Sequence, residues 1–341
     1  MKRLLNTLYV TTPGSYLSKE GESIEVRRED GERILVPLIA LDGLVAFGSV
    51  GASPQVLGHC AERGVSVGFL SDNGRFLMRV EGPVSGNVLL RRAQYRAADD
   101  PDRAAAVTRN VLAGKLANQR TVVRRHRRDH GDPTGTLGAA DDALTRALTQ
   151  LDRPLDVDRL RGVEGDAAAA YFAAFGAMIR RDGPEWRMNG RSRRPPLDRV
   201  NGLLSFVYTL LTHDVRGALE AVGLDPQVGF LHADRPGRPS LALDLVEEFR
   251  APFADRLVLT LINRQELGPD DFDIGETGAV SLTDDARKAV LIAYQKRKKE
   301  ELTHPFLDEK LPFGLMWHAQ ARLLARHLRG DLDAYPPFLW K

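Results

Sequence analysis

The chain has 341 residues, which at a usual ~150 residues per domain allows about two domains with a buried core in each. Hydrophobic residues make up 43% and charged residues 28%, the balance of an ordinary globular protein, and no apolar run approaches the ~18 residues of a membrane span. A single cysteine, Cys60, rules out an intrachain disulfide framework and a cysteine-based zinc site, and no cleavable leader follows the charged start, so a cytoplasmic protein is expected.

Net charge is only +2, but it is unevenly spread. Residues 91–130 carry 11 Lys/Arg against 4 acids, and residues 180–199 carry 7 Arg against 3 acids. A four-cation run follows at Lys296–Lys299. Each cluster taken singly could be a solvated helix face; three together point to a polyanion.

In chain order, residues 1 to about 85 read as β. Leu4–Val10 is apolar, and Ser23–Arg28 alternates, with Ile24 and Val26 inward and Glu25 and Arg27 outward. The turn at Glu29-Asp30-Gly31 leads into Arg33–Val36, a hairpin, and Leu44–Phe47 reads as a short buried strand. Ser53 caps a helix to about Arg63, and Val65–Leu70 and Arg75–Val80 flank an Asn-Gly turn. After Gly86 the chain turns Arg- and Ala-rich with helical spacing. Helices are expected at Ala104–Leu116, Asp166–Ile179, Asp198–Leu211, Leu241–Phe249, Pro252–Arg264, Thr283–Leu302 and Phe313–Leu328, with 129–141 irregular. The expected fold class is α+β: a small β-rich N-terminal domain, 1–87, followed by a larger all-α catalytic domain, 88–341. The first part, with 9 basic and 10 acidic residues over 1–90, suits protein association rather than DNA.

Three settings could carry chemistry. Glu164 lies between Gly162 and Gly165 at the expected start of the Ala-rich helix, where small neighbours let a phosphate approach. It could equally be an acid favoured by the helix dipole. His232 follows an apolar pair and precedes a polar turn; a satisfied, partly buried His is the plain alternative. In Ser240–Arg250, Asp244 lies three residues before Glu247 and four before Glu248, so these acids share a helix face. They are either a cation site or a solvated acidic stripe, with Glu248 facing Arg250 or solvent. Carboxylates with one imidazole suit magnesium or manganese (Mg2+ or Mn2+). Beside Arg clusters, they point toward phosphodiester chemistry.

The strings VEGDAAAAYF, NGLLSFVYTLL, GFLHADRPGRPSLALDLVEEFRAPFADRLVLTLINR and FGSVGASPQVLGHCAERGVSVGFLSDNGRF together resemble the CRISPR-associated spacer integrase family, in the style of its type I-C branch. The resemblance spans nearly the whole chain. It implies a metal-dependent endonuclease and strand-transfer enzyme that inserts short DNA fragments into a CRISPR repeat array. It implies metal ligands at Glu164, His232 and Glu247, with Asp244 orienting His232 or a metal-bound water as a fourth catalytic residue. Arg124, Arg125, Arg127, Arg128, Arg191, Arg193, Arg194, Tyr208 and Arg250 are the expected contacts to double-stranded DNA. Tyr208, in the Asn201, Ser205, Tyr208 helix, could also be a core tyrosine with a satisfied hydroxyl. The implied partners are a second copy of the chain and a small second adaptation protein, a dimer of which bridges two homodimers. The type I-C resemblance also implies, as a further partner, the separate iron–sulfur nuclease that often trims the incoming DNA in such systems. Two other functions share these residues: a metal-dependent DNA repair nuclease, and a catalytically inactive DNA-binding assembly subunit.

Overall fold

The computed structural model describes every residue except 1–6, 72–75, 81, 83–87, 189 and 341. Its first part holds β1 (Thr7–Val10), β2 (Tyr16–Glu20), β3 (Ser23–Arg27), β4 (Arg33–Pro37), β5 (Gly43–Phe47), β6 (Gly51–Ala52), α1 (Pro54–Glu62), β7 (Ser66–Leu70) and β8 (Phe76–Val80). Two four-stranded sheets result, ordered β1-β5-β7-β8 and β4-β3-β2-β6. In the first, β1, β5 and β7 run parallel and β8 returns antiparallel to β7. The Asn-Gly turn expected between those two strands falls mostly outside the described residues. In the second sheet β2, β3 and β4 form an antiparallel meander, with Ile24 opposite Val36 and Val26 opposite Ile34. Glu25 departs from the expected outward exposure: it is buried and accepts from Ser18 Oγ and Arg27.

All five residues of β5 are buried, which a strand covered on both faces requires. Leu44 and Ala46 join a core with Leu17, Ile24, Val56 and Cys60, while Val45 and Phe47 point the other way into the helical core. The period-two alternation of one strand thus belongs to both hydrophobic clusters.

The second part is mostly helical: α2 (Val88–Asp99), α3 (Pro101–His130), α4 (Thr136–Gln150), α5 (Val157–Phe175), α6 (Arg199–Val222), α7 (Ser240–Phe249), α8 (Arg256–Asn263), α9 (Asp284–Lys298) and α10 (Phe313–Arg329). Two small ribbons interrupt it, β9 (Phe272–Ile274) with β10 (Val280–Leu282), and β11 (Glu301–Thr303) with β12 (Lys310–Pro312). The thirty-residue α3, about 45 Å long, packs against α2, α4, α5 and α7. It starts three residues before the expected Ala104, because Asp100 caps it by accepting from the Asp102 and Arg103 amides, and it runs on past the expected Leu116 to His130. The 129–141 stretch is ordered, ending α3 at Gly131 and starting α4 at Thr136.

Other helix boundaries differ too: α6 runs on past the expected Leu211 to Val222, and α9 stops at Lys298 where the helix was expected to reach Leu302, a residue that lies in β11. The Ala-rich helix begins nine residues earlier, at Val157, where Asp156 accepts from the Arg159 amide at 2.8 Å. The expected break at Pro252 is absent: α7 runs into α8 through a π-helical turn, Arg250–Asp255. Proline has no N–H and its ring crowds the preceding turn, and a widened turn accommodates both. The carbonyls of Pro252 and Phe253 accept from Arg297 at 2.6 and 3.0 Å. With Lys298 also buried, 2.8 Å from Asp214, half of the 296–299 cation run is internal, and Lys296 and Lys299 are its exposed half.

Candidate metal and nucleic-acid site

Four segments bring the site together: α3, α5, the loop before α7, and α7. Glu164 lies in the middle of α5, so it is not a helix-start acid as expected. Leu160, Val163, Ala167 and Tyr171 form the buried stripe of that helix, and Glu164 sits at its edge, about a quarter exposed. A Cβ added at Gly162 or Gly165 would meet nothing within 4 Å, so the flanks of this carboxylate are open.

On α7 the acids are buried, and the solvated-stripe alternative does not hold. Asp244 takes both its oxygens to the loop at 229–232. Oδ2 accepts from the Phe230 and Leu231 amides at 2.6 and 3.0 Å; Oδ1 accepts from the His232 amide at 2.9 Å and faces His232 Nδ1 at 2.7 Å. An ionised carboxylate can only accept, so the Nδ1 proton is on the ring and Nε2 is left to face outward chemistry. Gly229 is required here, since a Cβ would come within 2.8 Å of Asp244 Oδ2 and the Ser240 carbonyl carbon.

Glu247 stands among cations. Its Oε1 is 2.7 Å from Arg250, and its Oε2 is 2.8 Å from Lys115 Nζ on α3. Lys115 also pairs with Glu164, so one ammonium bridges the two glutamates. Burial pushes the Glu247 carboxyl up, but Arg250, then Lys115 and His232, more than reverse this and hold it at about 2. Oε2 nevertheless has no aligned hydrogen-bond donor, although it is buried. Among the described residues no three His, Cys, Asp or Glu side chains are grouped so as to hold a metal ion as they stand. The ammonium of Lys115 lies between the two carboxylates instead. The donor set still suits a hard divalent cation: two carboxylates, one with a buried oxygen that lacks an aligned donor, and an imidazole oriented by a third carboxylate.

Glu248 turns the other way from Glu247, which corrects its expected orientation toward Arg250 or solvent. It is fully buried and accepts from Tyr335 Oη at 2.7 Å, the Phe338 amide at 2.7 Å and Gln320 Nε2 at 3.0 Å. Burial pushes its carboxyl up to about 8 despite those bonds. It anchors the last residues of the chain beneath α7. Asn118 on α3 completes that anchor, donating to the Glu248 and Phe338 carbonyls and accepting from the Trp340 amide.

Behind Glu247 lies a second buried layer. Tyr208 and Tyr171 both donate to Asp255, whose carboxyl burial pushes up to about 6. Arg250 lies 4.8 Å and Arg191 5.4 Å from the Tyr208 ring. Arg191 also donates to Asn201 Oδ1 at 2.7 Å and Ser205 Oγ at 3.2 Å. Tyr208 takes the alternative of a core tyrosine with a satisfied hydroxyl, and the part-buried Arg191 and Arg250 are bonded within the protein on the side of the site facing it. Arg193 and Arg194 are exposed. So are Arg124, Arg127 and Arg128, at the far end of α3, about 14–20 Å along the helix from Lys115. Arg124 pairs with Asp141 at 2.7 Å and Arg128 with Asp129 at 2.7 Å, while the Arg125 guanidinium sits 4.0 Å over Trp340.

Lys115, Asn118, Tyr171 and Asp255 were not singled out from the sequence. The signal for the first two was present: Lys115, Asn118 and Gln119 interrupt the apolar stripe of Val111, Leu112, Leu116, Val122 and Val123. Polar groups on a core-facing stripe must have buried partners.

The sequence model of the family described as CRISPR associated protein Cas1 matches residues 8–296. A curated relative from Chlorobaculum tepidum, named CRISPR-associated endonuclease Cas1 1, is 56% identical over 343 residues, covering all of both chains. Among solved structures, a casposase bound to integration product superposes with a TM-score of 0.86 at 22% identity, over 98% of this chain and 94% of that one. A chain of a Cas6-RT-Cas1–Cas2 complex superposes at 0.82 and 20% identity, over all of this chain and 36% of that one. Those two likenesses concern the fold; the profile match and the full-length identity show that the chain belongs to the CRISPR-associated Cas1 family.

Proposed function

We propose that this chain is a metal-dependent DNA endonuclease and integrase that joins the 3′-hydroxyl of a short DNA fragment to a phosphodiester at a CRISPR repeat. The observation that carries the reading is the meeting of Glu164 and Glu247, from two helices, on one cation, beside a His232 whose Nδ1 is held by Asp244. Glu164, His232 and Glu247 would hold Mg2+ or Mn2+, which supplies Lewis-acid stabilisation of charge on the phosphoryl oxygens. Glu247, kept ionised at about 2, is ready to ligate at neutral pH. Asp244 fixes the ring of His232 and the loop that carries it. The open flanks of Glu164 at Gly162 and Gly165 admit the DNA backbone. Exposed Arg127, Arg128, Arg193 and Arg194 would bind phosphates without reading sequence. The substrate brings its own nucleophile, so alignment and electrostatics account for most of the rate.

The division near residue 87, with the first part as the dimerisation domain, belongs to this proposal. So do bridging by a dimer of the small second adaptation protein, action with the trimming nuclease, and the type I-C assignment. The curated relative named as an endonuclease and the fold shared with a Cas1–Cas2 assembly support it. The test is strand transfer of a labelled fragment into repeat DNA with Mn2+, for Glu164→Gln, His232→Ala and Glu247→Gln. Each variant should stay folded and lose the reaction. Normal activity of His232→Ala would sink the ligand assignment. Disintegration of a branched DNA separates integrase from repair nuclease: hydrolysis alone, without rejoining, would favour the nuclease.

A further inference from the structure

Lys115 is the cation on which the two glutamates meet, and the reading above gives it no role in the reaction. It is 4% exposed, on the core-facing side of α3, and its ammonium pairs with Glu164 on α5 and lies 2.8 Å from Glu247 Oε2 on α7. A lysine buried this deeply is retained only where its charge is matched, since removing an ammonium from water costs several kcal/mol. Both of its matching partners are the carboxylates assigned to the metal. Glu164 and Glu247 carry two negative charges, and Lys115 and Arg250 carry two positive ones, so this part of the site is balanced before any divalent ion arrives. The ammonium thus occupies the space between the two carboxylates, within 2.8 Å of Glu247 Oε2.

We propose that Lys115 is an exchangeable counter-ion: it holds the two glutamates together while no divalent ion is present, and it competes with that ion for the same oxygens. The inference rests on the metal-site reading. A divalent ion joining these four groups leaves a local charge of about +2, and Lys115, released from the carboxylates, is part of the positive field that a phosphodiester meets. Lys115 is therefore a positioning residue of the site.

The test is Mn2+ binding, followed by electron paramagnetic resonance of the free ion, to the full chain without DNA. Lys115→Met should bind Mn2+ about tenfold or more tightly than the unmodified chain, because Glu164 and the buried Glu247 lose the ammonium between them, with Arg250 still beside Glu247. Lys115→Arg, which keeps the charge, should stay within a few-fold. DNA affinity in saturating Mn2+ should fall for Lys115→Met and be kept by Lys115→Arg. Equal or weaker Mn2+ binding by Lys115→Met overturns the inference while leaving the metal site standing. No Mn2+ binding by the unmodified chain overturns both. If Lys115→Met does not fold, acylation of lysines in the unmodified chain, read by mass spectrometry, replaces it. Lys115 should be protected in metal-free protein and react faster in saturating Mn2+; unchanged reactivity overturns the inference.

Discussion

The Asp244 carboxylate meets three backbone amides and the His232 ring, so neither oxygen is left for a cation. An acid used this way acts on the metal through the histidine, and losses of such supporting groups typically cost about 10–100-fold in metal affinity or activity. Asp244→Asn keeps one acceptor but aims an amide NH2 at a backbone N–H. The variant should show that reduced strand transfer, partly recovered by raising Mn2+, together with a lower melting temperature; loss of activity at every Mn2+ concentration in a folded protein would make Asp244 a ligand. Asp255 is the second buried acid with a testable signature. Its carboxyl is raised from 3.8 to about 6 by burial, with Tyr208 and Tyr171 donating to it. The folded state thus holds this proton more tightly than the unfolded state. The resulting stabilisation is full below about pH 4 and is lost as pH rises through about 6. Asp255→Asn should remove that part of the decline, seen as a flatter curve of denaturation midpoint against pH between 4 and 6.

At the scale of elements, α5 and the α7–α8 rod decide what the side chains can do. Gly162 and Gly165 are both inside α5, where glycine is costly relative to alanine, and neither has a neighbour that excludes a Cβ. Nothing among the described residues accounts for the two glycines, whereas a DNA backbone approaching Glu164 would. Gly165→Ala should therefore stabilise the protein by about 0.5–1 kcal/mol and still impair strand transfer. Full activity in a stabilised variant would show that DNA passes elsewhere. The π-helical turn at Arg250–Asp255 has a related consequence. It lets one continuous rod present Glu247 and Arg250 to the site and Asp255 to the tyrosines behind it, and it frees two carbonyls for Arg297.

At the scale of the molecule, α3 joins the parts. One end carries Arg124, Arg127 and Arg128 into solvent, its middle supplies Lys115 to the site, and Asn118 ties the chain end to α7. Phosphate binding by the exposed arginines should make log affinity for duplex DNA fall with log salt at about −0.9 per phosphate neutralised. Replacing Arg127, Arg128, Arg193 and Arg194 by Gln should flatten that slope in a filter-binding or fluorescence titration without changing the melting temperature greatly. The same change at Arg191 or Arg250 should lower stability, because these guanidiniums are held over Tyr208 and bonded internally. An unchanged salt slope in the quadruple variant would mark the exposed cluster as a solvated face.

Much of this protein follows from the order of its residues. The alternation at Ser23–Arg27, the Ser53 cap and the Ala-rich runs determine their own strands and helices, because each depends on neighbours within a few positions. Glu164, His232, Asp244 and Glu247 were legible as a group because the strings around them are specific to the family. Tertiary structure decided the rest. Only packing shows that Glu247 and Glu248, adjacent in sequence, face opposite sides of α7, one to Lys115 and Arg250 and the other to Tyr335 and Phe338. The charge count marked the Arg-rich stretches but could not separate Arg127, in solvent, from Arg191 and Arg297, turned inward to carbonyls, amides and rings. Lys115 shows the reason most clearly: its partners lie 49 and 132 positions away in the chain, and a long-range ion pair leaves no local pattern beyond a polar residue on an apolar face.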